Sequence, residues 1–281
     1  MNREARYRAG LALFGVIAVC AIMEALRDLT GDFIALWAAC CRWMEMPVMA
    51  DTVFRNSLST HVLVAALVAV GLGLLLRRGW KTYRFVTHLR SISVAALPSS
   101  LARLLHDIGL AQHVTVVATE VPLALCAGWL QPRIYISRGL TALLDANELK
   151  AVLLHEDHHR KRLDPLRSTI TETLAAMLFF LPIAAEWRVL KLTAAELAAD
   201  GHAARLIGRS SLAGALHKIL TSPSSTSLPV TVGISGLSVT DLRIAALLGD
   251  RTTPLRPSLR SLAISSLILT ALCMLVQGPL L

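Results

Sequence analysis

Within the segment AVLLHEDHHRKRLDP, residues 151–165, His155, Glu156 and His159 stand in H-E-x-x-H spacing. On an α-helix, residues four apart lie one above the other, so this spacing aims two imidazoles at one spot. Two such imidazoles form a ligand pair for zinc. The carboxylate between them can take a proton from the water that attacks a carbonyl. With nine His in 281 residues, chance would place this pattern about once per hundred such chains. The flanks argue against chance. Ala151, Val152, Leu153 and Leu154 form an apolar lead-in, and Asp145 or Asn147 with Glu148 offers an N-terminal capping signal. The motif therefore belongs to a partly buried helix, as a metal site requires.

A catalytic zinc takes three protein ligands and leaves a fourth position open, so a third residue is needed. In LTAAELAADGHAARLIG, Glu196 and Asp200 lie one helical turn apart among alanines and leucines that leave little room for solvation. Glu196 is the candidate third ligand, with Asp200 accepting the N–H of a ligating histidine, His155 first, to fix its tautomer. The rival third ligand is His158, which would leave no glutamate in the position that follows a first ligand. His202 is a candidate donor to the oxyanion of the transition state. His61, His88, His106, His113 and His217 show no ligand spacing.

Three stretches now carry a resemblance: CAGWLQPRIYISRGL (126–140), LDANELKAVLLHEDHHRKRLDPLR (144–167) and ELAAD (196–200). In this order they resemble the BlaR/MecR-type membrane zinc metallopeptidases, and more distantly the HtpX-type membrane proteases, over roughly residues 80–250. In such families G-x-x-x-P-R-I precedes the zinc helix, Asp and Pro follow at the spacing of Asp164 and Pro165, and E-x-x-x-D supplies the third ligand. Two departures stand out. Asp157 and His158 occupy positions where small or apolar residues are usual, and the extracellular penicillin-sensing domain of the receptor members is expected to be absent. The resemblance implies one zinc per chain and regulated cleavage of a cytosolic transcriptional repressor or of the protein itself. An HtpX-like role in clearing damaged membrane proteins is the enzymatic alternative. A catalytically silent membrane scaffold that binds a regulator is the alternative of another class.

Hydrophobic residues make up 54% and charged residues 17% of the chain, with a mean hydropathy of +0.59. This composition predicts a mainly α integral membrane protein. Apolar stretches at 9–26 and 61–76 would each cover about 24–27 Å, and a third runs to the end of the chain. The expected organisation is an N-terminal membrane region with two spans (1–79), a cytosol-facing α+β zinc-protease domain with a small sheet (80–260), and a C-terminal transmembrane helix (261–281). A signal peptide is the competing reading of 9–26, against which stands the lack of an A-x-A cleavage site. Arg77, Arg78, Lys81, Arg84 and Arg90 follow the second span, and Arg251, Arg256 and Arg260 precede the last, which places the middle region in the cytosol and residues 27–60 outside. The same basic flanks, set against lipid headgroups, account for much of the net charge of +9 without direct nucleic-acid binding.

The apolar segment 174–185 lies between the two metal motifs, so it cannot cross a bilayer if both bind one ion; Pro182 interrupts it. It is expected to be buried, interfacial or re-entrant. Residues 114–119 and 133–137 are β-branched runs that predict strands. The second, just before the zinc helix, is read as an edge that docks an extended peptide, making Arg133, Ile134 and Tyr135 candidate substrate-binding residues. Residues 195–220 read as helix with a soft break near Gly208, and 222–235 as a loop. The five cysteines, Cys20, Cys40, Cys41, Cys126 and Cys273, form no C-x-x-C pair and imply no disulfide framework.

Overall fold

The computed structural model describes residues 50–94, 98–222, 236–248 and 256–277, with side chains at 66–94, 98–222, 242–248 and 256–272. Helix α1 is Ala50–Ser91 and α2 is Ser99–Asp107. Three strands follow: β1 (Val114–Val117), β2 (Ala124–Ala127) and β3 (Arg133–Ser137). The chain continues through α3 (Arg138–Leu143), α4 (Ala146–Arg162), α5 (Asp164–Met177), α6 (Pro182–Ile207), α7 (Arg209–Thr221), α8 (Gly236–Leu248) and α9 (Leu259–Gln277).

The sheet order is β1-β3-β2, with β1 parallel and β2 antiparallel to β3. Strand β3 is central in the sheet, and both its faces are also covered. Ile134 and Ile136 enter one apolar cluster, with Leu105, Leu140, Leu149 and Leu153, while Tyr135 enters another with Val86, Leu89, Val117 and Ala127. A strand buried on both sides must be apolar at successive positions, which explains the run Ile134-Tyr135-Ile136. This corrects the expectation that β3 is an edge. Ile134 and Tyr135 are 0% exposed, so they cannot meet a substrate, and Arg133 instead donates from its guanidinium to the carbonyl of Gln112. The outer side of β1 is covered by residues 92–94, through Val94 N to Val116 O and Ala118 N to Ile92 O. Among the described residues β2 has no second strand partner. It is the open edge, and it packs against α4.

The described residues divide into two compact units, one within 75–172 and 188–255, the other within 1–74, 173–187 and 256–281. In the first, the sheet and helices α2, α3, α4 and α7 enclose the main core, and Ala151, Ala203, Leu212 and Leu247 form a smaller cluster. In the second, Leu181, Ile183, Ala184 and Leu262 are packed together. There Glu186 accepts from the backbone N–H of Ser258 and the hydroxyls of Ser258 and Ser261 at the start of α9.

Among the described residues no helix is long and apolar enough to cross a membrane. This corrects the expectation of three spans, and with it the assignment as a multi-pass plasma-membrane protein with a cytosol-facing site. In α1 the apolar run closes at Arg77 and Arg78. In α9 it is diluted by Ser261, Ser265, Ser266 and Thr270, and Ser265 is turned inward to accept from the N–H of Ile183. The proposed span at 9–26 lies outside the described residues, as do the loop 223–235 and the side chains of Cys20, Cys40, Cys41 and Cys273. The segment 174–185 is not one helix: α5 ends at Met177, a turn follows, and α6 begins at Pro182, where proline's missing N–H is not needed.

Candidate metal centre

Helix α4 is started and stopped by local chemistry. Asp145 accepts from the N–H groups of Asn147 and Glu148, each at 2.9 Å, and Glu148 accepts in return from the N–H of Asp145 at 2.9 Å, a reciprocal capping box. Glu148 is also bound by Lys218 of α7 at 2.6 Å, and Gly214 leaves the room that its carboxylate fills. At the other end Leu163 adopts φ 55, ψ 38, the left-handed conformation that terminates helices. That reversal lays Asp164 back against the helix it has just ended.

The result is a fixed pair of imidazoles. His159 Nδ1 lies 2.8 Å from Asp164 Oδ2, and His155 Nδ1 lies 2.9 Å from Asp200 Oδ1. The first is a well-directed hydrogen bond; the second is close, but its N–H does not point along the line to the oxygen. With His159 Nδ1 hydrogen-bonded to Asp164 and His155 Nδ1 set beside Asp200, the two Nε2 atoms lie 3.1 Å apart. Glu196 of α6 completes the group, one carboxylate oxygen 3.5 Å from His155 Nε2 and the other 3.5 Å from His159 Nε2. Tetrahedral ligands at zinc–ligand distances of about 2.0–2.1 Å are separated by about 3.3 Å. The observed separations bracket that value, so the donor set fits a divalent metal. Among the described residues His155, His159 and Glu196 are the group able to hold one.

Arg243 of α8 adds a cation that no motif or spacing pointed to. Its Nε donates to Asp200 Oδ2 at 2.8 Å, its Nη2 to Asp200 Oδ1 at 2.9 Å, and its Nη1 lies 3.1 Å from Glu196 Oε2. Burial raises the pKa of Glu196, but the His155 hydrogen bond and the charge of Arg243 outweigh it and hold the carboxyl at about 2. The balance at Asp200 is similar: burial is opposed by His155 and Arg243, and the value is about 2. For His155, burial disfavours the charge, yet Asp200 and Glu196 lift the pKa to about 9. In the metal-free protein at neutral pH this imidazole is therefore cationic.

Glu156 is buried on α4, one residue after His155. Its position is marked by Cys126 of β2, whose thiol is pushed far up first by burial and next by the negative charge of Glu156. Helix α4 packs against β2, which brings Glu156 into the neighbourhood of Cys126. The remaining histidines of the region form a separate pair: the rings of His158 and His202 are 5.0 Å apart, and His158 is outside the metal group. Asp157, fully buried, is neutralised on its own helix by Arg160 and Lys161, each at 2.8 Å.

Comparison with known proteins supplies the family. The chain is 44% identical over 52 residues to a "Protease HtpX homolog" of Aquifex aeolicus (strain VF5), a match covering 18% of this chain and 17% of that protein. It thus spans under a fifth of that relative's length. A longer match is to the BlaR1 peptidase M56 family, a family of metallopeptidases, over residues 43–244, and it takes in every residue of the site from Cys126 to Arg243. The chain belongs to the BlaR1 peptidase M56 family.

Proposed function

We propose that this chain is a zinc-dependent endopeptidase, with zinc held by His155, His159 and Glu196 and with Glu156 as the general base. The observation that carries the reading is the convergence of two Nε2 atoms and one carboxylate at 3.1–3.5 Å, with a carboxylate beside each Nδ1. Zinc bound there would supply Lewis acidity toward a scissile carbonyl and a water molecule. The rest is done by side chains. Glu156 takes the proton of the attacking water and passes it to the leaving amine. An extended peptide pairing with the open edge of β2 runs past Glu156, so main-chain hydrogen bonds set its register beside the base.

The substrate is a protein. Kinship with the BlaR1 family favours regulated cleavage of a transcriptional repressor or of the chain itself, and the stretch shared with an HtpX homologue favours general protein turnover as the second reading. Purified protein is expected to carry about one zinc per chain, and Glu156→Gln to keep the metal while cleavage of a quenched peptide library falls ~10²-fold or more. Unchanged turnover in that variant, or full zinc retention in both His155→Ala and His159→Ala, would remove the assignment. A repressor encoded beside this chain, cut by the wild type and spared by Glu156→Gln, separates signalling from turnover.

A further inference from the structure

We infer that Arg243 is the built-in counter-charge of the metal site, a positioning residue that holds Glu196 and Asp200 in register before any metal arrives. This rests on the metal-site reading above. Glu196 and Asp200 lie one helical turn apart on α6, and Asp200 is 2% exposed, so two like charges are held on one half-buried helix face. Beside the His155 imidazole, Arg243 is a second cationic group within 4 Å of both carboxylates. Its geometry is divided. The Nε and Nη2 edge forms a two-point fork on Asp200, which fixes the guanidinium plane, and Nη1 is left for Glu196 Oε2. A lysine could offer the charge but not the fork.

The counter-charge comes from a different part of the chain. Helix α8 is attached through Leu247, buried against Ala151, Ala203 and Leu212, and through Arg243. Arg243 and the metal ion therefore do overlapping work at Glu196. Each sets positive charge against that carboxylate, and removing the arginine harms the metal-free protein far more than the loaded one. A residue that merely anchored α8 would destabilise both states alike.

The test measures thermal unfolding of the full chain, stripped of metal and saturated with zinc, for wild type, Arg243→Gln, Arg243→Lys and Leu247→Ala. In Arg243→Gln the gap between the zinc-loaded and metal-free midpoints is expected to exceed the wild-type gap by about 5 °C or more. Arg243→Lys falls between the two. Leu247→Ala, which loosens α8 without touching a carboxylate, lowers both midpoints and leaves the gap at the wild-type value. A wild-type gap in Arg243→Gln overturns the inference. If that variant cannot be recovered without metal, a wild-type gap in Arg243→Lys combined with wild-type zinc affinity does so instead. A wild type whose midpoint does not respond to zinc is a different failure, that of the metal site itself.

Discussion

Asp164 provides the sharpest handle on the metal centre because it acts on a single imidazole. It reaches His159 Nδ1 at 2.8 Å and touches neither His155 nor Glu196. Replacing it by Asn keeps an acceptor at the same place, so the ring orientation survives while the negative charge that strengthens His159 as a ligand is lost. Replacing it by Ala frees the ring as well. Carboxylates behind ligating histidines contribute about 10- to 100-fold in metal affinity, equivalent to about 1.4–2.7 kcal/mol. Asp164→Asn should fall near the lower bound and Asp164→Ala near the upper. Asp200 braces the other ring, so the two carboxylates act on separate ligands, and the factor lost in Asp164→Asn should persist in an Asp200→Asn background within about twofold. Competition against a chromophoric zinc chelator reads all five affinities, wild type included, and the metal-free melting midpoint checks that the fold is intact. Wild-type affinity in Asp164→Ala would mean that His159 is not a ligand or is oriented by something else.

Three further outcomes are expected. With the His155 pKa raised to about 9, zinc binding between pH 7 and 8 should expel about one proton from that imidazole, and apparent affinity should climb with pH until about 9 and then level; calorimetry in two buffers of different ionisation enthalpy counts the proton, and a buffer-independent heat would contradict the shift. The same shift stabilises the metal-free fold fully below pH 6.5, and that contribution is lost as pH rises through about 9. At Gly139, an added Cβ would stand 1.9 Å from the carbonyl oxygen of Glu120, a clash of backbone with backbone that no rotamer relieves. Gly139→Ala should therefore destabilise by about 3 kcal/mol in chemical denaturation, and a wild-type midpoint would show that the two segments are not in contact.

What could be read from the residues alone was local. His155 and His159 share a helix face because of their spacing, Asp145 and Glu148 announce the start of that helix three residues apart, and Gly208, at φ 105, is the break between α6 and α7. What could not be read depends on tertiary pairing. The sequence of β2, ALCA, has little strand preference and is extended only because β3 lies beside it. The same pairing makes β3 central, which a strand's own residues do not reveal. Arg243 lies more than forty positions from Asp200, with no periodicity to link them. The apolar runs were misleading because hydropathy counts side chains without asking what they meet. In α9, Leu262 and Ser265 are turned toward Ile183 and Leu181.

The left-handed turn at Leu163 also gives the site an order of assembly. The contact from His159 to Asp164 closes across five residues, whereas that from His155 to Glu196 closes a loop of roughly forty, and the difference in chain entropy is about 2 kcal/mol. One half of the centre is therefore written into a single capped helix and its reversal. The other half exists only while α6 is packed and α8 holds it. The easiest path for an ion to leave is then not the melting of α4 but a partial opening of α6 that withdraws Glu196 and leaves the histidine pair standing.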